Sequence, residues 1–279
     1  MAENLQLLKR RINTAKNISQ ISRAMEMISA AKIKKAQIAV ENHRPYSQKV
    51  TELTGRLMRQ VNPETFSHPY LQAPLTSKKL LIAFAPDKGL CGSLITNMYK
   101  SVVNINLKEY EVVTVGKRME LIGSRLQADV VASFSFGTNL PDHNKVYELT
   151  QLINDLYQNK QISGVDLAFT QFESLFSQKA VVKKLLPLQY IPETEEKSLD
   201  YTFEPNAPLL FSQILPLYVE VMLYNAIIQS YTSEQAARMI AMQNAKNNAI
   251  DIADYLTLSY NKLRQERITN EILDLANNQ

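Results

Sequence analysis

The two ends of this 279-residue chain contain no glycine and no proline, the residues that most often end a helix. All seven glycines lie in the middle of the chain, the first proline is Pro45 and the last is Pro216. Uninterrupted helices over residues 1–44 and 217–279 would extend about 65 Å and about 95 Å at 1.5 Å per residue. Because globular helices average about 11–12 residues, helices of this length need a partner packed along them.

Apolar and small residues recur at three–four spacing along both end segments, as they do in the seam of a coiled coil. The predicted seam of the first segment is Leu5, Leu8, Ile12, Ala15, Ser19, Ser22, Met25 or Glu26, and Ser29. That of the last segment is Met239, Met242, Lys246, Ala249, Ala253, Leu256, Leu263, Ile268, Ile272 and Leu275. Such residues pair weakly but permit close approach of two helices. The sequence therefore predicts an antiparallel coiled coil of the N- and C-terminal helices, interrupted by an inserted domain.

The middle of the chain alternates between short apolar runs and helical patterns, which is typical of a mainly parallel α/β sandwich. The predicted strands are residues 79–85, 111–115, 129–135, 165–172 and 180–188, and the predicted helices are 93–107, 118–126 and 146–158. Residues 189–204 are predicted to form a loop and an edge strand. We therefore expect an N-terminal coiled-coil helix at 1–57, a Rossmann-like α/β domain at 76–195 and a C-terminal coiled-coil helix at 205–279.

Positive charge is concentrated in the first 44 residues, which hold nine Lys or Arg residues against three acids and leave −2 for the rest of a chain of net charge +4. The basic side chains that form this stripe are Lys9, Arg10, Arg11, Lys16, Arg23, Lys32, Lys34 and Lys35. No aromatic residue is interleaved with them to stack on bases, so nucleic-acid binding is not expected. The stripe is expected to face solvent or an acidic protein.

The apolar runs Leu80–Ala85 and Pro208–Leu217 are shorter than the roughly 20 residues that cross a bilayer, so the sequence predicts no membrane-spanning segment. A single cysteine, Cys91, excludes an internal disulfide framework. The three histidines show no metal-ligand spacing, and neither a metal nor another cofactor is expected.

The motif Asp87–Gly92 (DKGLCG) follows the first predicted strand and precedes a helix, where a loop can cradle phosphate. Neither a Walker pattern nor GxGxxG is present, so a tight turn is the favoured interpretation. Cys91 in this loop would be a nucleophile only if a base such as His143 approached it. Two alternatives therefore stay open from the residues: a small α/β enzyme that uses Cys91, and a basic coiled-coil adaptor.

Three separated motifs resemble those of the gamma subunits of F-type ATP synthases. They are residues 8–37 (LKRRINTAKNISQISRAMEMISAAKIKKAQ), the central DKGLCG, and residues 233–245 (SEQAARMIAMQNA) followed by 258–271 (LSYNKLRQERITNE). Residues 200–210 (DYTFEPNAPLL) resemble the entry to the last helix of that family. The resemblance covers essentially the whole chain.

This resemblance implies a non-catalytic rotor shaft that turns inside a ring of alpha and beta subunits. The implied partners are the alpha and beta subunits, an epsilon-type subunit and the c-ring of the membrane sector. The implied location is peripheral, at the cytoplasmic face of the bacterial inner membrane or the mitochondrial matrix side, with the membrane reached only through the complex.

The resemblance also assigns roles to individual positions. Arg264, Gln265 and Thr269 match positions that hydrogen-bond an acidic loop of a beta subunit, and Met25 matches a position that packs near a beta-subunit loop. Contact with the c-ring is implied for Tyr201, Phe203 and Glu204. Phe203 replaces the tyrosine usual in the family, which removes a hydroxyl from that contact. The tip at residues 273–279 is more polar than is common, and no thiol-regulation insert is present.

Overall fold

The computed structural model describes residues 2–61, 66–72, 74, 76, 78–135, 137–141, 143–188 and 203–277. The chain divides into two compact units, residues 1–31 with 238–279 and residues 32–237. The described residues form, in chain order, α1 (Ala2–Gln60), β1 (Lys79–Phe84), α2 (Leu94–Val103), β2 (Tyr110–Val115), α3 (Lys117–Arg125), β3 (Asp129–Phe134), α4 (His143–Gln158), β4 (Val165–Phe172), β5 (Gln178–Leu186) and α5 (Ala207–Asn277). Two single-turn 3₁₀ helices, Pro69–Leu71 and Leu107–Glu109, lie between them.

The predicted strands and helices of the middle of the chain are confirmed. The strands form one sheet in the order β3-β2-β1-β4-β5, in which β1 to β4 are parallel and β5 is antiparallel to β4. The fold class predicted from the sequence is therefore correct. The edge strand expected within residues 189–204 falls largely outside the described residues.

Successive side chains of β1 point to opposite faces of the sheet and therefore enter two separate cores. Leu80, Ile82 and Phe84 face a core completed by α4 and by the first half of α5, including Phe211, Leu215, Val219 and Leu223. Leu81 and Ala83 face a smaller core that contains Met98 of α2 and Met119 of α3. Because both faces of the sheet are covered, β1 is a continuous apolar run.

Both end helices are longer than the glycine- and proline-free segments, because each runs through a proline. α1 contains Pro45 and α5 contains Pro216. A proline inside a helix costs about 3 kcal/mol through a lost hydrogen bond and a clash with the preceding turn. Burial of neighbouring side chains such as Val50, Phe211 and Leu215 offsets this cost.

The continuous length of α5 changes one prediction. Among the described residues α5 alone is long and apolar enough to cross a membrane by length and composition, with a mean hydropathy of 1.4 over 18 residues, of which 33% are buried in the protein. The expectation that no stretch reaches this length is therefore wrong. Core helices pass the same test, and Phe211, Leu215, Val219 and Leu223 of α5 pack on the sheet.

Candidate functional surfaces

The unit made of residues 1–31 and 238–279 has the small-residue seam that the sequence predicts. Ile12, Ala15, Ser22 and Ser29 of α1 are buried, as are Met242, Ala249 and Ala253 of α5. Small side chains at these positions let the two helix backbones approach closely.

An ion pair fixes the antiparallel register of this seam. The Lys246 ammonium lies 2.8 Å from the Glu26 carboxylate, and about a fifth of each side chain is exposed. Antiparallel pairing at this register places residue 2 of α1 opposite residue 270 of α5. The sequence offered both residues as seam positions but did not predict that they pair.

The exposure of two isoleucines corrects the prediction for the C-terminal end of the seam. Ile268 and Ile272 are 48% and 60% exposed, so they do not continue the buried seam as predicted. Ile268 and Ile272 follow the buried Ala249 by 19 and 23 residues, so the helix turns their side chains about 100° and about 140° away from the seam. The side chain of Leu275 lies outside the described residues.

The outer face of α1 in the same unit carries an apolar stripe. Ile18, Ile21, Met25 and Ile28 follow three–four spacing, and the three isoleucines are 47–61% exposed while Met25 is half-buried. On α5 the corresponding exposed apolar residues are Ile252, Tyr255 and Leu258. Exposed apolar side chains in this number mark a surface that other chains cover.

The basic stripe of α1 is also at the surface. Lys9, Lys16 and Arg23 are exposed and lie on a face of the helix different from the apolar stripe. The unit therefore presents a buried seam, an apolar face and a basic face.

Arg264, Gln265 and Thr269 lie on the last part of α5, and all three are exposed. The Thr269 hydroxyl donates to the backbone carbonyl of Gln265 at 3.0 Å, as expected for residues four apart on a helix. Arg264 is 18 residues beyond Lys246, or about 27 Å along the helix. Met25 lies beside the Glu26–Lys246 pair, so the structure does not bring Met25 and Arg264 together.

The other predicted contact group lies in the unit formed by residues 32–237. Phe203 is half-buried and packs against the large core, whereas Glu204 is exposed. Tyr201 lies outside the described residues.

The DKGLCG loop forms a turn held by its aspartate. The Asp87 carboxylate accepts hydrogen bonds from the Lys117 amide, the Ser135 hydroxyl and the Gly137 amide, each at 2.9 Å. Lys117 is the first residue of α3, so the Asp87 carboxylate lies at the N-terminus of that helix and accepts one of its free amides. The predicted turn is therefore confirmed, with Gly92 at a φ of 57°.

Cys91 in this loop is 1% exposed, and its sulfur is inaccessible to a substrate in this conformation. The side chain of His143 lies outside the described residues. A small, solvent-open cleft lies next to the loop at the carboxyl edge of the sheet, lined by residues that include Phe84, Asp87, Gly116, Tyr231 and Glu234. Within the described part of the chain, no three His, Cys, Asp or Glu side chains are arranged to hold a metal ion.

Comparison with known proteins identifies the family. The family model described as ATP synthase matches residues 4–277. An ATP synthase gamma chain of Dehalococcoides mccartyi strain CBDB1 is 37% identical over 276 residues, covering 98% of this chain and 97% of its own length. A second, from Roseiflexus sp. strain RS-1, is 35% identical over 279 residues, covering 96% and 95%. The chain belongs to the ATP synthase gamma-chain family.

Solved structures agree with this family in fold. The rotor of the Euglena gracilis mitochondrial ATP synthase matches with a TM-score of 0.67 at 14% identity, covering 96% of this gamma chain and all of the matched chain. The central stalk and c-ring structure of the Tetrahymena thermophila enzyme matches with a TM-score of 0.60 at 25% identity, covering 81% and 99%.

As a gamma chain, the protein is a non-catalytic stalk subunit of ATP synthase, a peripheral membrane-associated assembly. The two alternatives left open by the sequence, a Cys91 enzyme and a basic adaptor, are not favoured.

Proposed function

We propose that this gamma chain is the rotating shaft of its ATP synthase, and that the unit of residues 1–31 and 238–279 turns inside a ring of alpha and beta subunits. In this proposal segments 1–57 and 205–279 form the shaft and residues 76–195 form the α/β domain. The c-ring and an epsilon-type subunit bind the chain outside the ring. The whole complex lies at the cytoplasmic face of a bacterial inner membrane, or at the matrix side in an organelle.

The observation that carries the proposal is the apolar stripe of α1, Ile18, Ile21, Met25 and Ile28, which remains exposed although the seam of the same helix is filled. Isolated proteins seldom leave such a row in water, whereas a shaft enclosed by other subunits covers it. An apolar, weakly directional contact also slides at low cost, since it makes no hydrogen bonds that must break at each step.

Coupling follows from the differences between the faces of the shaft. A rod with one apolar face and one basic face presents a different surface to each of three beta subunits at once. Each beta subunit then shifts toward the conformation that binds its facing surface best, and rotation exchanges these conformations. Ion flow through the membrane sector drives the rotation, and ATP forms on the beta subunits.

Arg264 and Gln265 are proposed to hold an acidic loop of a beta subunit at one angle of this rotation. Both side chains are exposed, and the Arg264 guanidinium offers a donor geometry suited to carboxylates. Thr269 lies on the same face as Gln265. Phe203 and Glu204, with Tyr201, are proposed to meet the c-ring, with Phe203 anchored in the core so that Glu204 points outward.

The proposal is tested by copurification and by Met25→Lys. The wild-type chain is expected to copurify with alpha and beta subunits, and Met25→Lys is expected to retain assembly but to lower ATP-driven proton pumping per ATP hydrolysed, because a charge enters the apolar stripe. Gln20→Lys is the matched control. Gln20 shares a face of α1 with Lys16 and Arg23, so this variant adds the same charge outside the apolar stripe. Equal pumping by the two variants would argue against an enclosed apolar stripe.

The beta-subunit contact is tested separately with Arg264→Ala and Gln265→Ala. Each removes a polar contact of about 1–2 kcal/mol, so the double variant is expected to lose ATP synthesis while α5 stays folded. Lys262→Ala removes an exposed charge two residues from Arg264, on another face of the helix, and is expected to leave synthesis unchanged. Normal synthesis in the double variant contradicts the assignment.

A further inference from the structure

The last four residues of β4 have one paired edge and one edge that no strand of the described residues covers. β5 pairs with β4 as far as Phe172, whereas β1 pairs with it only from Val165 to Ala168. Thr170 and Phe172 are two residues apart, so their backbone groups point to the same uncovered side. A buried edge of this kind leaves backbone donors and acceptors that need partners.

Side chains of α5 supply these partners. Gln229 Oε1 accepts from the Phe172 amide at 3.0 Å, and Ser230 Oγ accepts from the Thr170 amide at 3.4 Å. The Ser233 hydroxyl donates to the Thr170 carbonyl at 3.2 Å. Thr170 is 3% exposed and Ser233 is fully buried. These residues of α5 therefore bond to the backbone groups of β4 on the side opposite β5.

The same segment of α5 also makes a hydrogen bond to the loop that follows β3. The Tyr231 hydroxyl donates to the Thr138 carbonyl at 3.4 Å, and the Lys32 ammonium of α1 donates to that same carbonyl. Thr138 follows β3, so the loop beyond this strand is bonded to both long helices within the unit of residues 32–237.

Hydrogen bonds restrict α5 in a way that its apolar contacts do not. Apolar burial depends on area and tolerates small rotations, whereas a hydrogen bond weakens steeply as its angle departs from linear. Each residue of a helix turns by about 100°. A modest rotation of α5 about its axis would therefore carry Gln229 away from the Phe172 amide before the apolar core had opened.

We propose that these bonds form a torque contact, the strand-edge clamp, defined as Gln229, Ser230 and Ser233 of α5 with Thr170 and Phe172 of β4. The clamp fixes the rotational position of α5 on the sheet, so that torque received by the α/β domain turns α5 without slip. This inference rests on the proposed function of a rotating shaft. Gln229 and Ser233 act in it as positioning residues.

The bonds themselves are tested by amide hydrogen exchange on the full chain. Gln229→Met keeps the side-chain length but removes the acceptor, and the Phe172 amide is expected to exchange on the order of tenfold faster, as for one lost hydrogen bond. Gln229→Glu keeps an acceptor oxygen and is expected to restore protection. Gln213→Met makes the same chemical change at an exposed position of α5 and is expected to have no effect. Unchanged exchange in Gln229→Met overturns the clamp.

The role in torque is tested in the assembled ATP synthase, with the catalytic ring immobilised and a probe on the α/β domain. The double variant Gln229→Met/Ser233→Ala is expected to hydrolyse ATP at the wild-type rate but to show a larger angular variance at each dwell. Gln229→Glu/Ser233→Thr, which retains both polar groups, is expected to restore the wild-type variance.

A general loss of stability is separated from a loss of torque by Ile153→Val. Ile153 of α4 is fully buried in the same core but belongs to none of these bonds, so this variant is expected to lower the melting temperature without widening the dwell angles. Equal variance in the double variant and the wild type, or a wider variance in Ile153→Val, overturns the torque role. Failure of the wild-type chain to assemble with alpha and beta subunits refutes the proposed function instead, while amide exchange still decides whether the clamp exists.

Discussion

Replacing Gly116 with alanine is expected to destabilise the α/β domain severely. Gly116 lies between β2 and α3 with a φ of +97°, a conformation that side chains with a Cβ rarely adopt. An added Cβ would stand 1.9 Å from the Ala85 carbonyl oxygen and 3.0 Å from its carbon. Both are backbone atoms, so the clash cannot be relieved by turning a side chain.

The size of the effect follows from this geometry. The backbone conformation alone costs about 1–3 kcal/mol for a residue with a Cβ. Relief of the clash needs a shift of about 1 Å, which would break the bond from the Gly116 amide to the Phe134 carbonyl, now 2.7 Å, and weaken that from the Arg118 amide to the Pro86 carbonyl, now 3.1 Å. Each bond contributes about 1 kcal/mol net. The expected loss is about 3–5 kcal/mol.

Thermal denaturation of the full chain measures this loss. At about 2–4 °C per kcal/mol, Gly116→Ala should lower the melting temperature by about 6–20 °C. Gly137→Ala is the matched control, because Gly137 also has a positive φ, +76°, but an added Cβ there meets nothing within 4 Å. Its expected cost is about 1–2 kcal/mol. Equal melting temperatures for the two variants would refute the argument from the Ala85 contact.

Three further outcomes are expected. Ala249→Leu should lower stability by about 1–3 kcal/mol in urea denaturation because it overfills the seam, while Asn248→Leu on the exposed side should change it by less than about 0.5 kcal/mol. A double-mutant cycle of Glu26→Gln and Lys246→Met should give a coupling of about 0.5–1 kcal/mol that shrinks in high salt, and zero coupling would contradict the ion pair. Burial lowers the pKa of His68 below its usual 6.5, so protonation favours the unfolded chain and stability should fall as the pH drops below about 6.5. His68→Asn, which keeps an acceptor for the Tyr70 amide, should flatten the melting temperature between pH 7 and pH 5.

Sequence patterns predicted the fold correctly at positions where the burial of apolar side chains is the dominant interaction. The continuous apolar run Leu80–Phe84 predicts a buried strand, and Ala249 and Ala253 predict a close helix pair, because burial acts in the same direction at each position. The proline-free segments 1–44 and 217–279 are shorter than the two helices, because the cost of Pro45 and Pro216 is local, whereas the packing that offsets it comes from residues distant in the sequence.

The candidate surfaces were predictable only in part. The positions of Arg264 and Gln265 came from resemblance to a family, since exposed polar residues at helical spacing carry no signal of their own. The bonds from Gln229 and Ser233 to β4 could not be predicted, because they depend on β1 ending before β4 does. The hydrogen bonds of Asp87 could not be predicted either, since its partners belong to α3 and to the segment after β3.

The Glu26–Lys246 pair joins residues separated by 220 positions, and this separation has a consequence for biosynthesis. Residues 1–31 cannot pack in their unit until residues 238–279 have been translated. Until then their apolar seam and apolar stripe are both open to water, as in other chains dominated by distant contacts. We therefore expect the α/β domain to fold first on the ribosome. The N-terminal segment would then depend on chaperones or early-arriving subunits to stay soluble, and its protease sensitivity on stalled ribosomes should disappear only after residues 238–279 have emerged.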